Sequence, residues 1–142
     1  MLKGIPSILP PELLKIMMEM GHGDTLVIGD GNFPAAACAK RLVRCDGHGV
    51  VPVLEAVLQL FPLDTPDSKP ACVMQVQDPT APRPTIWRAF QSAIAVHEPS
   101  KETLFEIERF AFYEEAKKAY AVVATGETAI YANLILKKGV IA

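Results

Sequence analysis

Pro10-Pro-Glu-Leu-Leu-Lys-Ile-Met-Met-Glu-Met-Gly-His-Gly-Asp-Thr-Leu-Val-Ile-Gly29 is the stretch on which the fold class turns. Pro10 and Pro11 open a helix, where the missing proline N–H goes unnoticed, and Gly21 stops it. Leu13, Leu14, Ile16, Met17, Met18 and Met20 cover most of its circumference, so burial on more than one side is expected. After a turn at His22, Thr25-Leu-Val-Ile28 is a short β-type run, ended by the turn-rich Gly29-Asp-Gly-Asn-Phe-Pro34. A helix feeding a short apolar strand through a tight turn is the repeating unit of α/β proteins.

The rest of the chain repeats that alternation. Arg41–Cys45 reads as a strand before the turn Asp46-Gly-His-Gly49. Val50–Phe61 has helical spacing, with Val53, Leu54, Val57, Leu58 and Phe61 on one face and Pro52 tolerated in the first turn. Ala71–Val76 reads as a strand, Asp78–Pro84 as a Pro-rich loop and Thr85–Val96 as a helix. Thr103–Glu108 alternates with period two, as a strand does. Phe112–Ala119 reads as a helix whose wet face carries Glu114, Glu115, Lys117 and Lys118. Ala121–Ala124 and Asn133–Leu136 close the chain as strands. The expected fold is α/β, a mainly parallel sheet with helices packed on it. With 142 residues, the chain is expected to be one domain, 1–142.

Composition removes several function classes. Fourteen Lys and Arg against sixteen Asp and Glu leave a net charge of −2, and no basic stripe forms, which argues against a nucleic-acid partner. Half of the residues are hydrophobic (50%) and mean hydropathy is +0.22, an excess that favours self-association in so small a domain. No apolar run approaches the ~18–20 residues of a membrane span, and no signal-type segment opens the chain. Cys38, Cys45 and Cys72 are odd in number and lack Cys-x-x-Cys spacing. They read as core residues in a reducing, cytoplasmic compartment.

Four polar segments can carry chemistry. His22 sits between two glycines, and histidine both takes and gives protons near neutrality. Asp24 is placed to hold its turn. Asp30 follows an apolar strand directly, where a carboxylate accepts hydrogen bonds from vicinal hydroxyls or makes an Asx turn. Arg109, at a strand–helix junction, can donate to sugar oxygens, and the Tyr113 phenol can exchange a proton. Tyr131 and Asn133 alternate as in a strand, which points their side chains the same way. No dinucleotide fingerprint, P-loop or nucleophile elbow is present. His22, His48 and His97 lack ligand spacing, so no metal site is expected.

Taken in order, Met20-Gly-His-Gly-Asp24, Asn32-Phe-Pro34, Arg44-Cys-Asp-Gly47, Arg109-Phe-Ala-Phe-Tyr113 and Thr125-Gly-Glu-x-x-x-Tyr-Ala-Asn133 resemble the ribose pyranase/fucose mutarotase family over nearly the whole chain. The Arg-Phe-x-Phe-Tyr element resembles its fucose branch. The resemblance implies anomer interconversion of L-fucose, with His22 as proton donor and Tyr113 as a second catalytic group. It implies substrate contacts at Asp30, Arg109, Tyr131, Ala132 and Asn133, and a further contact at Asp64. It also implies homo-oligomers built from rings, often decamers, with sites near subunit contacts. A positioned acid or base contributes roughly 10²–10⁴-fold, so neither metal nor cofactor is expected. Ribose pyranase activity and non-catalytic sugar binding are the competing readings, and the intact His22 and Tyr113 argue against the latter. Gly29 and Gly31 depart from the Ala or Ser common in bacterial relatives, which implies a looser loop. The Asp78–Pro84 stretch matches nothing specific.

Overall fold

The computed structural model describes all residues, 1–142. In chain order it runs α1 (Pro11–Glu19), β1 (Thr25–Gly29), α2 (Ala35–Cys38), β2 (Leu42–Cys45), α3 (Val50–Leu58), a 3₁₀ turn (Pro66–Ser68), β3 (Ala71–Met74), α4 (Ile86–His97), β4 (Phe105–Ile107), α5 (Arg109–Lys118), β5 (Ala121–Thr125) and β6 (Leu134–Lys137). The strands form one sheet in the order β2-β5-β1-β6-β3-β4. β5 is parallel to both β1 and β2, and β4 is parallel to β3. β6 is antiparallel to β1 and to β3. Five strands therefore point one way and β6 alone runs back between them. The mainly parallel α/β sheet read from the sequence is the one observed.

Both faces of the sheet are covered over its central strands β1, β3, β5 and β6, which are therefore apolar runs, while the edge strands β2 and β4 alternate. Leu26 and Ile28 of β1 pack with α1, α3 and α4 in the larger core. Val27 points to the other face, where Phe112 and Ala116 of α5 and Ala35 and Cys38 of α2 form a smaller one. Phe112 is fully buried and meets Phe33 edge-on, with ring centroids 5.9 Å apart.

Three expectations are corrected. α1 buries only Leu13 and Met17, while Met18 is exposed; the methionines around its circumference do not all face the core. α5 begins at Arg109 rather than Phe112, because the Glu108 carboxylate caps it by accepting the Ala111 N–H at 3.0 Å. β6 begins at Leu134, so Tyr131 and Asn133 do not alternate along a strand. Tyr131 lies in a turn with φ 55°.

Phe112 precedes Tyr113 on α5, so its burial sets where the phenol sits. Phe112→Ala is expected to cost about 3–5 kcal/mol in urea unfolding, as a large cavity does in a tight core.

Candidate active site

In a sheet of this kind, ligands bind beyond the carboxyl ends of the parallel strands. Asp30 lies there, immediately after β1, and is buried. Its carboxylate accepts the backbone N–H of Asn32 at 3.0 Å and of Ala132 at 3.3 Å. Its own N–H donates to the Asn133 side-chain oxygen at 2.8 Å. The tie is reciprocal and joins segments a hundred residues apart. With its oxygen so engaged, the Asn133 amide presents its NH₂ as the free donor. Thr125 steadies the same loop, donating to the Gly29 carbonyl at 2.7 Å, and Gly31 N–H donates to the Glu127 carbonyl at 2.8 Å.

These contacts build one wall of a cavity of about 330 Å³. Asp30, Arg109, Tyr113, Tyr131 and Asn133 all line it, joined by Asn32, Phe33, Met74 and Ile130. Arg109 enters from the first turn of α5, its guanidinium 4.7 Å from the Phe110 ring centroid. Its Nε is buried without a partner in the chain. The Tyr113 ring rests 5.9 Å from Phe33. The pocket thus has a hydrogen-bonding side and an apolar side.

His22 and Asp64 are not part of that pocket. They meet at the opposite end of β1, roughly 20 Å away along the strand at the usual rise per residue. His22 Nε2 lies 3.1 Å from Asp64 Oδ1, with the imidazole 59% exposed and the carboxylate 13% exposed. The Thr65 backbone N–H, and then the His22 ring, hold the Asp64 carboxyl below its ordinary range against the opposing push of burial. An ionised carboxylate only accepts, so Nε2 is the donor and Nδ1 is left free. Asp24 holds the histidine turn by accepting the Gly21 N–H at 2.7 Å. Lys138 closes it from beside, donating to the Met17 carbonyl at 2.9 Å. Leu63, before Asp64, is gripped by Glu98 at its N–H (2.9 Å) and by Lys101 at its carbonyl (2.7 Å).

The model of the RbsD / FucU transport protein family matches residues 3–141. The chain belongs to that family. A human protein named fucose mutarotase is 49% identical over 99% of this chain and 95% of its own. The crystal structure of the fucose mutarotase in complex with L-fucose from Streptococcus pneumoniae superposes with a TM-score of 0.93 at 46% identity, covering 99% of this chain and 100% of that one. Bacillus subtilis RbsD complexed with D-ribose shares the fold, with a TM-score of 0.72 at 20% identity over 94% of this chain and 95% of that one. No helix of this RbsD / FucU chain is long and apolar enough to cross a membrane.

The two glycines expected to loosen the loop do the opposite. A Cβ at Gly29 would sit 2.8 Å from the Phe33 ring, and one at Gly31 would sit 3.0 Å from the Glu127 carbonyl. They permit close approach rather than motion. Among lining residues, Met74 and Ile130 carry no sequence signal, being single apolar residues like any others. Asn32 and Phe33 belong to a quoted motif, yet their spacing assigns no role.

Asp64 has a lowered folded-state value, so its charge adds stability above the unfolded value of about pH 4 and that increment is lost as pH falls through the folded value. Asp64→Asn is expected to remove that increment from the acid side of a pH–stability profile, read by thermal melts across the pH range.

Proposed function

We propose that this chain is an L-fucose mutarotase, an isomerase that exchanges the α and β anomers by opening and reclosing the sugar ring. The observation that carries this reading is the convergence of Asp30, Arg109, Tyr113, Tyr131 and Asn133 on one cavity, in a chain that shares its family and fold with a protein crystallised with L-fucose. Asp30 accepts from vicinal hydroxyls through its remaining lone pairs, while Arg109 and Asn133 donate to sugar oxygens. Ala132 contributes through its backbone, whose N–H orients Asp30. Phe33, Met74 and Ile130 give the 6-deoxy methyl an apolar wall. A methyl is worth only about 1–3 kcal/mol in such a pocket, so related sugars, ribose included, are expected as weaker substrates.

The chemistry needs two proton movements. One proton leaves the anomeric hydroxyl and one arrives at the ring oxygen as the C1–ring oxygen bond breaks, giving the open-chain aldehyde. Reclosure on the other face of the carbonyl reverses both. His22 and Tyr113 are the two groups assigned to these transfers, the imidazole able to work in either direction and the phenol better as an acid. Neither step calls for a metal or a redox cofactor.

Within one chain, His22 and Tyr113 lie at opposite ends of β1. We propose that His22 and Asp64 of one copy complete the pocket of the next. Two separate apolar patches support this arrangement. Met18 is 84% exposed on the last turn of α1, close in sequence to His22. Ile130 is exposed at the pocket, and Phe110 is exposed beside Tyr113, with ring centroids 6.5 Å apart. Contact between two different surfaces is heterologous and closes into rings when the rotation allows. This agrees with the ring-built oligomers implied by the family resemblance. The whole chain, 1–142, serves as one subunit. Cys38, Cys45 and Cys72, free and buried, favour the reducing cytoplasm as its compartment.

Saturation-transfer NMR of the two anomers tests the reading directly. The protein is expected to accelerate anomeric exchange of L-fucose, and His22→Ala to slow it by roughly 10²–10⁴-fold. Full acceleration by the alanine variant would exclude the assigned role. Mixing His22→Ala with Tyr113→Phe subunits, after dissociation and reassembly, is expected to recover activity that neither variant shows alone. No recovery would place both groups in one subunit's site.

A further inference from the structure

Tyr131 is an aromatic residue in the left-handed region, φ 55°, where a side chain crowds the backbone and glycine or asparagine is the usual occupant. Nothing in its own sequence neighbourhood explains that choice, since Ile130 and Ala132 flank it. The explanation lies in what grips the turn. The Tyr131 carbonyl accepts the indole N–H of Trp87 at 2.9 Å. The next atom pair of the same peptide unit, the Ala132 N–H, donates to Asp30 at 3.3 Å. A peptide unit is planar and trans, so its C=O and N–H point in opposite directions. One rigid plane is therefore held at its two ends, by a donor from α4 on one side and by the pocket carboxylate on the other.

Trp87 does not line the cavity. It is buried at the start of α4, within the larger core. We propose that Trp87 is a positioning residue for the sugar site: its indole N–H fixes the Tyr131–Ala132 peptide plane, and with it the direction of the Ala132 N–H and the entry of Tyr131 and Asn133 into the pocket. Without that donor the plane is free to turn about its flanking bonds. The Ala132 N–H then leaves Asp30, and the left-handed conformation of Tyr131 has less to hold it. The Tyr131 phenol oxygen, which accepts the Gln77 N–H at 3.4 Å, is a longer and weaker tie. This hydrogen bond ties the Tyr131–Ala132 edge of the pocket to α4.

The inference rests on the pocket being the sugar site, and its test separates the two. Trp87 is the only tryptophan, so global replacement by β-(3-benzothienyl)alanine changes one residue, keeps its shape and removes its donor. Replacement by 7-azatryptophan, which retains the N–H, is the matched control. Two quantities are read on folded protein, hydrogen exchange of the Ala132 amide and the KM and kcat for L-fucose anomeric exchange. In the donorless protein, Ala132 exchange is expected to quicken and KM to rise about tenfold with kcat little changed, the scale of one buried hydrogen bond. The azatryptophan protein is expected to match the unmodified one. Unchanged Ala132 exchange without the donor overturns the positioning role whatever the sugar result. Quickened exchange in a protein whose unmodified form never accelerates L-fucose overturns the sugar reading instead. If the donorless protein does not fold, the unmodified protein decides: a Trp87 indole proton that exchanges as slowly as core amides supports the role, and one that exchanges as fast as a surface proton overturns it.

Discussion

The reversed strand β6 is the constraint on which the rest of the molecule depends. Because it runs antiparallel between β1 and β3, its entrance lies at the edge where those strands end. Residues 131–133 are thereby delivered to the side of Asp30, across a hundred residues of sequence. The reciprocal pair of hydrogen bonds between Asp30 and Asn133–Ala132 is possible only with that strand direction. A parallel β6 would carry the same side chains to the other end of the sheet.

Around that tie the pocket divides its work between polar and apolar walls. Asp30 is buried, yet its carboxylate is satisfied by backbone N–H groups rather than by a cation, which leaves Arg109 free to face a ligand. Buried polar groups are tolerable when their partners are fixed, and the partners here come from the exit of β1 and the entrance of β6. Gly29 and Gly31 serve the same end by allowing Phe33 and the Glu127 carbonyl to approach the loop closely. Rigidity of this kind suits a reaction whose barrier is modest and whose main demand is orientation of hydroxyls.

The second polar cluster, His22 with Asp64, is as firmly built as the first. Asp24, Lys138, Glu98 and Lys101 each hold a piece of the backbone around it. It nonetheless stands alone at the far end of β1, with the imidazole open to solvent. A short strand separates the two clusters, and one chain cannot bring them together, because an extended segment does not bend back on itself within five residues. The proposed assembly of copies rests on the exposed apolar residues near each cluster, Met18 beside His22 and Phe110 and Ile130 near Tyr113 and Tyr131.

Much of this was legible in the sequence. Apart from the short α2 (Ala35–Cys38), which no periodicity marks, the order of helices and strands follows from hydrophobic periodicity and from Gly and Pro punctuation, which are local properties of the chain. Asp30, Arg109, Tyr113, Tyr131 and Asn133 stood out by residue type and by family pattern, and they do share one pocket. Strand direction and partners were not legible beyond a parallel majority, since pairing is decided by which faces bury best in three dimensions. Nor were the apolar lining residues Met74 and Ile130, the glycine contacts that tighten the loop, or the left-handed turn at Tyr131. Each depends on a neighbour distant in sequence. Local patterning along the chain accounts for most of the elements and for the inventory of chemical groups. Which groups meet is settled in three dimensions, where His22 lies at the opposite end of β1 from the others, because a strand carries its two ends to opposite edges of the sheet.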